Sequence, residues 1–211
     1  MKINALFMPG IKLRRYRDFS AECIKKYLIT INLALAVVSG VIVYMFNKEA
    51  INAEYSELFS EYCLNFLSAD KTDIFISSLK NILPYILLML LFSTSAVGDI
   101  LVYMLTFIRF SAMSTYTAFL YTQYGIAGIK YCFTVFLPGK VIFIIGSLIL
   151  IDLCIKIVFA YRHKNKLTES ELKKAGTVLL IDISVFFLSL CVDYLTLSMF
   201  LPRSEILSLL G

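Results

Sequence analysis

The stretch from Leu79 to Tyr161 constrains this chain more than any other part, because it is almost continuously apolar. It is interrupted at Gly98-Asp99, between Gly125 and Gly128, and at Pro138-Gly139-Lys140. About 20 apolar residues are enough to cross the roughly 30 Å hydrocarbon core of a bilayer, so this stretch is long enough for several crossings. We therefore expect closely packed helices in a lipid bilayer.

The composition also indicates a hydrocarbon environment. Hydrophobic residues make up 59% of the 211 residues, and the mean hydropathy is +0.81. A soluble domain of this size has too small an interior to bury so much apolar surface. The apolar runs are continuous and do not alternate, which argues for helices and against a membrane barrel. The predicted fold class is all-α, a polytopic integral membrane helix bundle forming a single membrane domain.

The apolar runs predict about five transmembrane helices. They cover residues 27–46, 79–97, 100–124, 141–161 and 177–200. The predicted connecting segments are a basic N-terminal segment (1–26), an outer loop (47–78), a short segment (125–139) and an inner loop (162–176).

Charge placement predicts the orientation. Lysines and arginines are concentrated in residues 1–26 and 162–176, whereas residues 47–78 are rich in Asp and Glu. The positive-inside rule then places a multi-pass protein in the cell membrane, with a cytoplasmic N-terminus and an extracytoplasmic C-terminus. The basic clusters also suit contact with membrane lipids. We expect no nucleic-acid partner.

The sequence contains no evident catalytic constellation. Its five cysteines form no CxxC spacing, and there is one histidine, so the ligand clusters typical of zinc sites are missing from the sequence. We expect no catalytic residue, no cofactor, no bound metal and no enzymatic activity.

Residues 50–67 within the outer loop predict an amphipathic helix, because apolar residues recur at helical spacing while glutamates occupy other positions. Tyr55, Phe59 and Tyr62 lie on its apolar face. Two interpretations stay open. The face rests on the bilayer or the helix bundle, or it docks an extracytoplasmic partner.

Five charged residues within the predicted spans are candidates for an interior polar site: Arg109, Asp152, Lys156, Asp182 and Asp193. A central Arg costs about 3 kcal/mol or more on insertion scales, so Arg109 should find a partner. Asp152 and Asp182 are better candidates for that partner than Asp99, which is about 15 Å from Arg109 along the same helix. Lys156 follows Asp152 at helical spacing, which predicts mutual neutralisation.

Asp182 and Asp193 fall on nearly the same face of the last span. This placement predicts an interior polar seam held by hydrogen bonds. An ion or proton relay along that seam is the alternative.

Small and helix-breaking residues predict where helices approach or end. Ser114 and Ala118 belong to a stripe of small residues that allows close helix packing. Gly98 is expected to close the second span, and Asp99 to cap the third. Breaks at Gly125 and Gly128 and at Pro138-Gly139 would isolate 125–139 as a re-entrant or interfacial helix.

A set of motifs from Gly98 onward carries a family resemblance. They are Phe107-Ile108-Arg109, Ser114, Ala118, Phe119-Leu120, Gln123, Gly125, Gly128, the run from Phe133 to Pro138, and Asp193-Tyr194-Leu195. In these motifs and in its general layout, the chain resembles the stage II sporulation protein M family. Wider relatives often carry Pro-His-Gly followed by Glu, where this chain has Pro138-Gly139-Lys140 and Phe143. The sporulation branch resembles this chain in lacking that His and Glu.

The resemblance implies a role in engulfment in an endospore-forming bacterium. The chain would be the non-catalytic membrane anchor of a complex with two peptidoglycan-degrading proteins, stage II sporulation proteins D and P, at the mother-cell septal membrane. A homo-oligomer stays open. The alternative suggested by the residues themselves is a small transporter or channel that uses the interior polar groups.

Overall fold

The computed structural model describes residues 10–68, 71–162 and 169–200, and every element in these ranges is helical. The α-helices are α1 (Gly10–Phe46), α2 (Lys48–Ser68), α3 (Lys71–Ser93), α4 (Gly98–Tyr131), α5 (Leu137–Arg162) and α6 (Glu169–Phe200), with a π-helical segment (Cys132–Phe136) between α4 and α5. The predicted all-α class is confirmed for these ranges. Residues 1–9 of the predicted N-terminal segment and 163–168 of the inner loop lie outside them.

Three helical stretches are long and apolar enough to cross a membrane: Tyr27–Phe46, Gly98–Arg162 and Glu171–Thr196. The second of them contains α4, the π-helical segment and α5. Helix α3 adds a shorter apolar segment, Ser78–Ser93. Large aliphatic side chains such as Leu35, Leu91 and Leu188 are exposed on these helices. A surface of this kind is compatible with a membrane protein, because lipid solvates it at no cost.

The larger core lies between α3, α4, α5 and α6. Its fully buried side chains include Met89, Val102, Leu150, Ile151 and Phe186. Helix α5 packs extensively against α6, and α3 contacts α4, α5 and α6. Since lipid tails are as apolar as these side chains, close van der Waals packing stabilises such a core more than hydrophobic transfer does.

Helix α1 packs along α4 through the small-residue stripe. A Cβ atom on Gly40 would collide with the backbone carbonyl of Ser111, so the two backbones touch. The Ser114 hydroxyl donates to the carbonyl of Val37 at 2.8 Å, and the Thr115 hydroxyl donates to the carbonyl of Gly40 at 3.0 Å. Close backbone approach and interhelical hydrogen bonds are the main forces that associate helices in lipid.

A second, aromatic core joins α2 to the bundle. Its buried members are Tyr44, Phe59, Phe119, Leu120, Tyr131 and Val135, with Tyr55 and Ala118 packed against them. They come from α1, α2, α4 and the π-helical segment, so α2 is fixed against the end of the bundle where α4 passes into α5.

The turn between α3 and α4 differs from the prediction. It consists of residues 94–97 and is closed by hydrogen bonds from Ser95 N–H to the Phe92 carbonyl and from Gly98 N–H to the Ser95 carbonyl. Gly98 begins α4 instead of ending α3, and Val97 occupies the cap position without a side-chain hydrogen bond, so the predicted Asp99 cap is wrong. A side chain at Gly98 would collide with the carbonyl of Phe92, which explains the glycine there.

Residues 125–139 form no separate short helix, because the helix after Gly125 continues through the π-helical segment into α5. Gly125 alone leaves the helical conformation, with φ +56° and ψ −126°, and the chain continues as a helix through Gly128. Pro138 and Gly139 lie in the first turn of α5, so the predicted second break is wrong. The wider π-helical turn, in which Leu137 N–H bonds the Cys132 carbonyl, makes room for a proline that lacks its own N–H.

The backbone at Gly125 predicts a specific cost of substitution. Gly125→Ala is expected to lower stability by about 1–2 kcal/mol, because an L-residue at positive φ is strained. No atom lies within 4 Å of the added Cβ, so the loss would come from the backbone alone. Thermal unfolding in one detergent measures it. Gly176→Ala is the control, since that helical glycine also faces open space and should gain about 0.5–1 kcal/mol. Equal melting temperatures for the two variants would contradict the positive-φ backbone conformation at Gly125.

Candidate functional site

A cavity of about 370 Å³ lies among α3, α4, the π-helical segment, α5 and α6, and we call it the Arg109 cavity. Its polar wall is formed by Arg109, Lys140, Asp193, Asn81 and Ser78. The other lining residues are Ile82, Met113, Tyr116, Tyr131, Val135, Phe136, Phe143 and Leu190. Four of the polar groups come from one end of the bundle, near the starts of α3 and α5 and the end of α6, whereas Arg109 lies near the middle of α4.

Lys140 and Asp193 form an ion pair across the cavity rim. Lys140 Nζ is 2.8 Å from Asp193 Oδ2, and both side chains are largely buried. The carboxylate lies directly over Gly139, where a Cβ atom would collide with it, and the Ser189 hydroxyl donates to the Gly139 carbonyl at 2.8 Å. Gly139 therefore provides the space in which the pair forms. Lys140 is a site residue that the sequence reasoning missed. The available signal was a lysine at a helix start, inside an apolar stretch.

Arg109 has neither of the partners predicted for it. Within the described ranges no carboxylate lies within 4 Å of its guanidinium, which instead lies 5.6 Å from the ring centroid of Phe143. Asp193 shares the cavity but pairs with Lys140. The predicted pairing with Asp152 or Asp182 is wrong, because those two carboxylates lie on parts of α5 and α6 that do not line the cavity.

Asp152 and Lys156 are brought together at 2.6 Å, one helical turn apart. Both side chains are substantially exposed, and neither lines the Arg109 cavity. The pair lies on the outside of the bundle. An exposed pair of this kind contributes at most about 1 kcal/mol in water.

Asp182 is completely buried, and neither carboxylate oxygen has a hydrogen-bond partner in the part of the chain that the structure describes. It lies inside the larger core, together with the buried hydroxyls of Tyr85 and Ser147. Across residues 10–68, 71–162 and 169–200, no group of three His, Cys, Asp or Glu residues could hold a metal ion. Asp182 and Asp193 occupy two separate environments, since only Asp193 reaches the cavity.

The candidate docking face of α2 rests on α4. The Phe59 ring, 2% exposed, lies 5.5 Å from Tyr131, and the Tyr55 ring lies 5.6 Å from Phe119, centroid to centroid. This placement favours packing on the bundle over free display to a partner. Burial, and secondarily the charge of Glu54, raise the pKa of the Tyr55 hydroxyl above its usual value, so it stays protonated at neutral pH. The Tyr62 side chain lies outside the described residues.

Comparison of the chain with protein-family models, with curated proteins and with solved structures finds no match. The motifs that carry the family resemblance lie in different parts of this fold. Arg109, Phe136 and Asp193 belong to three separate motifs, and all three line the Arg109 cavity. Ser114 and Ala118 instead lie on the surfaces of α4 that face α1 and the aromatic core.

Proposed function

We propose that this chain is a non-catalytic membrane scaffold of the sporulation engulfment complex. It recruits and localises peptidoglycan-degrading proteins, stage II sporulation proteins D and P by the resemblance, at the septal membrane of the mother cell. In this proposal about five helices cross the bilayer, with the N-terminus in the cytoplasm and the C-terminus outside.

The observation that carries the proposal is the way α2 is held. Its aromatic side is fixed against α4, so the helix is a rigid element at one end of the bundle. Glu54, Glu57 and Glu61 recur at helical spacing and are exposed. In the proposed orientation these glutamates form an acidic surface outside the cell. Such a surface would steer and orient a partner that presents basic side chains.

Removal of the acidic surface tests the proposal. Glu54, Glu57 and Glu61 are replaced together by Gln, and tagged partners D and P are recovered with the full-length chain from detergent-solubilised membranes. Recovery is expected to fall roughly tenfold, as ion pairs of up to about 1 kcal/mol each would give. Membrane insertion should be unchanged.

The matched control replaces exposed acids elsewhere. Glu169 and Glu171 lie in the first turn of α6, at the opposite end of the bundle, and both are exposed. Their replacement by Gln should leave recovery at the wild-type level. Undiminished recovery with the α2 variant would exclude the acidic surface, and failure of the wild-type chain to recover either partner would exclude the scaffold.

A second candidate function, a small transporter or channel, is favoured by one observation. Asp182 has no hydrogen-bond donor among the described residues, although it is fully buried in the bundle. Intramembrane carboxylates in this situation often belong to ion or proton pathways. Flux in proteoliposomes that is indifferent to neutralising Arg109, Asp152, Asp182 and Asp193 would exclude this function.

A further inference from the structure

The charges in the Arg109 cavity do not balance. Asp193 is the acid among the lining residues, and its carboxylate is bound by Lys140 at 2.8 Å. The charge of Arg109 is left over, although its guanidinium lies over the π face of Phe143. The described part of the cavity therefore carries one net positive charge.

An uncompensated guanidinium in this setting favours an anion. Ile82, Met113 and Leu190 form apolar walls around it. Arg109 is only partly exposed, and a partly desolvated cation among apolar groups is stabilised by a counter-charge that reaches it. The cationic fork of Arg also binds phosphate and carboxylate oxygens with better geometry than Lys does.

The shape of the site indicates an amphiphile. A cavity of about 370 Å³ is at the small end of ligand pockets, large enough for a headgroup but not for a whole lipid. Ser78 and Asn81 add hydrogen-bonding groups to its wall. Leu79 and Leu83, on the same helix, are exposed and apolar, and in a bilayer they would contact acyl chains.

We propose that the Arg109 cavity binds the phosphodiester headgroup of an anionic phospholipid. Arg109 receives the phosphate charge, Ser78 and Asn81 bond the remaining polar groups of the head, and the acyl chains lie outside along α3. The Lys140–Asp193 pair closes the rim and contributes no net charge. This site does not depend on whether the chain recruits partners.

Native mass spectrometry of the full chain in a neutral detergent tests the proposal, with phosphatidylglycerol, phosphatidylcholine, oleate or inorganic phosphate added separately. Phosphatidylglycerol is expected to bind at least about tenfold more tightly than phosphatidylcholine, because both lipids present a phosphate to Arg109 but choline adds a positive charge close to it. Arg109→Gln should abolish this preference, and Arg109→Lys, which keeps the charge, should keep most of it.

Lys156→Gln is the matched control, because it removes one positive charge from α5 outside the cavity. It should keep the preference. If the wild-type chain binds the two phospholipids equally tightly, that result alone would overturn the proposal. Retention of the preference in Arg109→Gln, or its loss in Lys156→Gln, would also overturn it. Inorganic phosphate or oleate binding as tightly as phosphatidylglycerol would overturn the assignment to a phospholipid.

Discussion

Gly40→Val is expected to force α1 away from α4 and to lower stability by about 3 kcal/mol. The added side chain would collide with the carbonyl of Ser111 and with Cβ of Ser114, and neither can retreat without moving α4. Separation would also break the bonds from Ser114 to the Val37 carbonyl and from Thr115 to the Gly40 carbonyl. Each interhelical hydrogen bond in lipid contributes about 0.6 kcal/mol, so steric overlap supplies most of the loss.

Thermal unfolding of the purified chain in one detergent measures this effect. Gly176→Val is the matched control, since a Cβ there meets no atom within 4 Å. It introduces the same side chain into α6 and should shift stability by less than about 0.5 kcal/mol. Ser39→Ala, which removes the bonds from the Ser39 hydroxyl to the Ser111 hydroxyl and to the Ala36 carbonyl, should have an intermediate effect. If Gly40→Val unfolds at the same temperature as the wild type, then α1 does not pack on this stripe.

The close approach at Ser114 could be read from the sequence, but the identity of the partner helix could not. A stripe of small side chains shows where a helix permits contact, because sterics at that surface are local. The helix that fills it is α1, whose contacting residues are separated from the stripe by 72 to 77 positions. Such a pairing depends on how all the helices pack together, and no short pattern encodes it.

The charged residues show the same division between local and tertiary information. Asp152 and Lys156 are four positions apart, so helix geometry alone predicts their contact. The pair between Lys140 and Asp193 spans 53 positions and depends on the rotation of α6 against α5. The partners predicted for Arg109 are wrong because the sequence identifies ionisable residues without the direction in which each side chain points.

A backbone kink is present at Gly125, whereas the break predicted at Pro138-Gly139 is absent, because a glycine and a proline act differently on a helix. Gly125 turns the chain with a backbone conformation that other residues avoid. Pro138 removes one hydrogen bond, and the π-helical segment before it widens the turn enough for the helix to continue. Two residues of this segment, Cys132 and Val135, are buried.

Asp182→Leu is expected to stabilise the chain. Leucine has the same number of side-chain heavy atoms as aspartate, with the same branching, but it has no polar atom. An unsatisfied buried polar group costs about 1–3 kcal/mol, and the variant should recover a similar amount. Asp182→Asn, which keeps the polar atoms, should change stability by less than about 1 kcal/mol. Thermal unfolding of the wild type, Asp182→Leu and Asp182→Asn in one detergent measures their relative stabilities.

The same variants separate a structural role for Asp182 from a role in transport. If the carboxylate serves an ion or proton pathway, Asp182→Leu gains stability while flux in proteoliposomes disappears, since natural sites keep destabilising groups where function needs them. If the chain is a scaffold alone, stability rises and partner recovery is unchanged. A loss of more than about 1 kcal/mol in both Asp182→Leu and the isosteric Asp182→Asn would contradict both outcomes, because it would show that a donor or a bound ion holds the carboxylate in the folded protein.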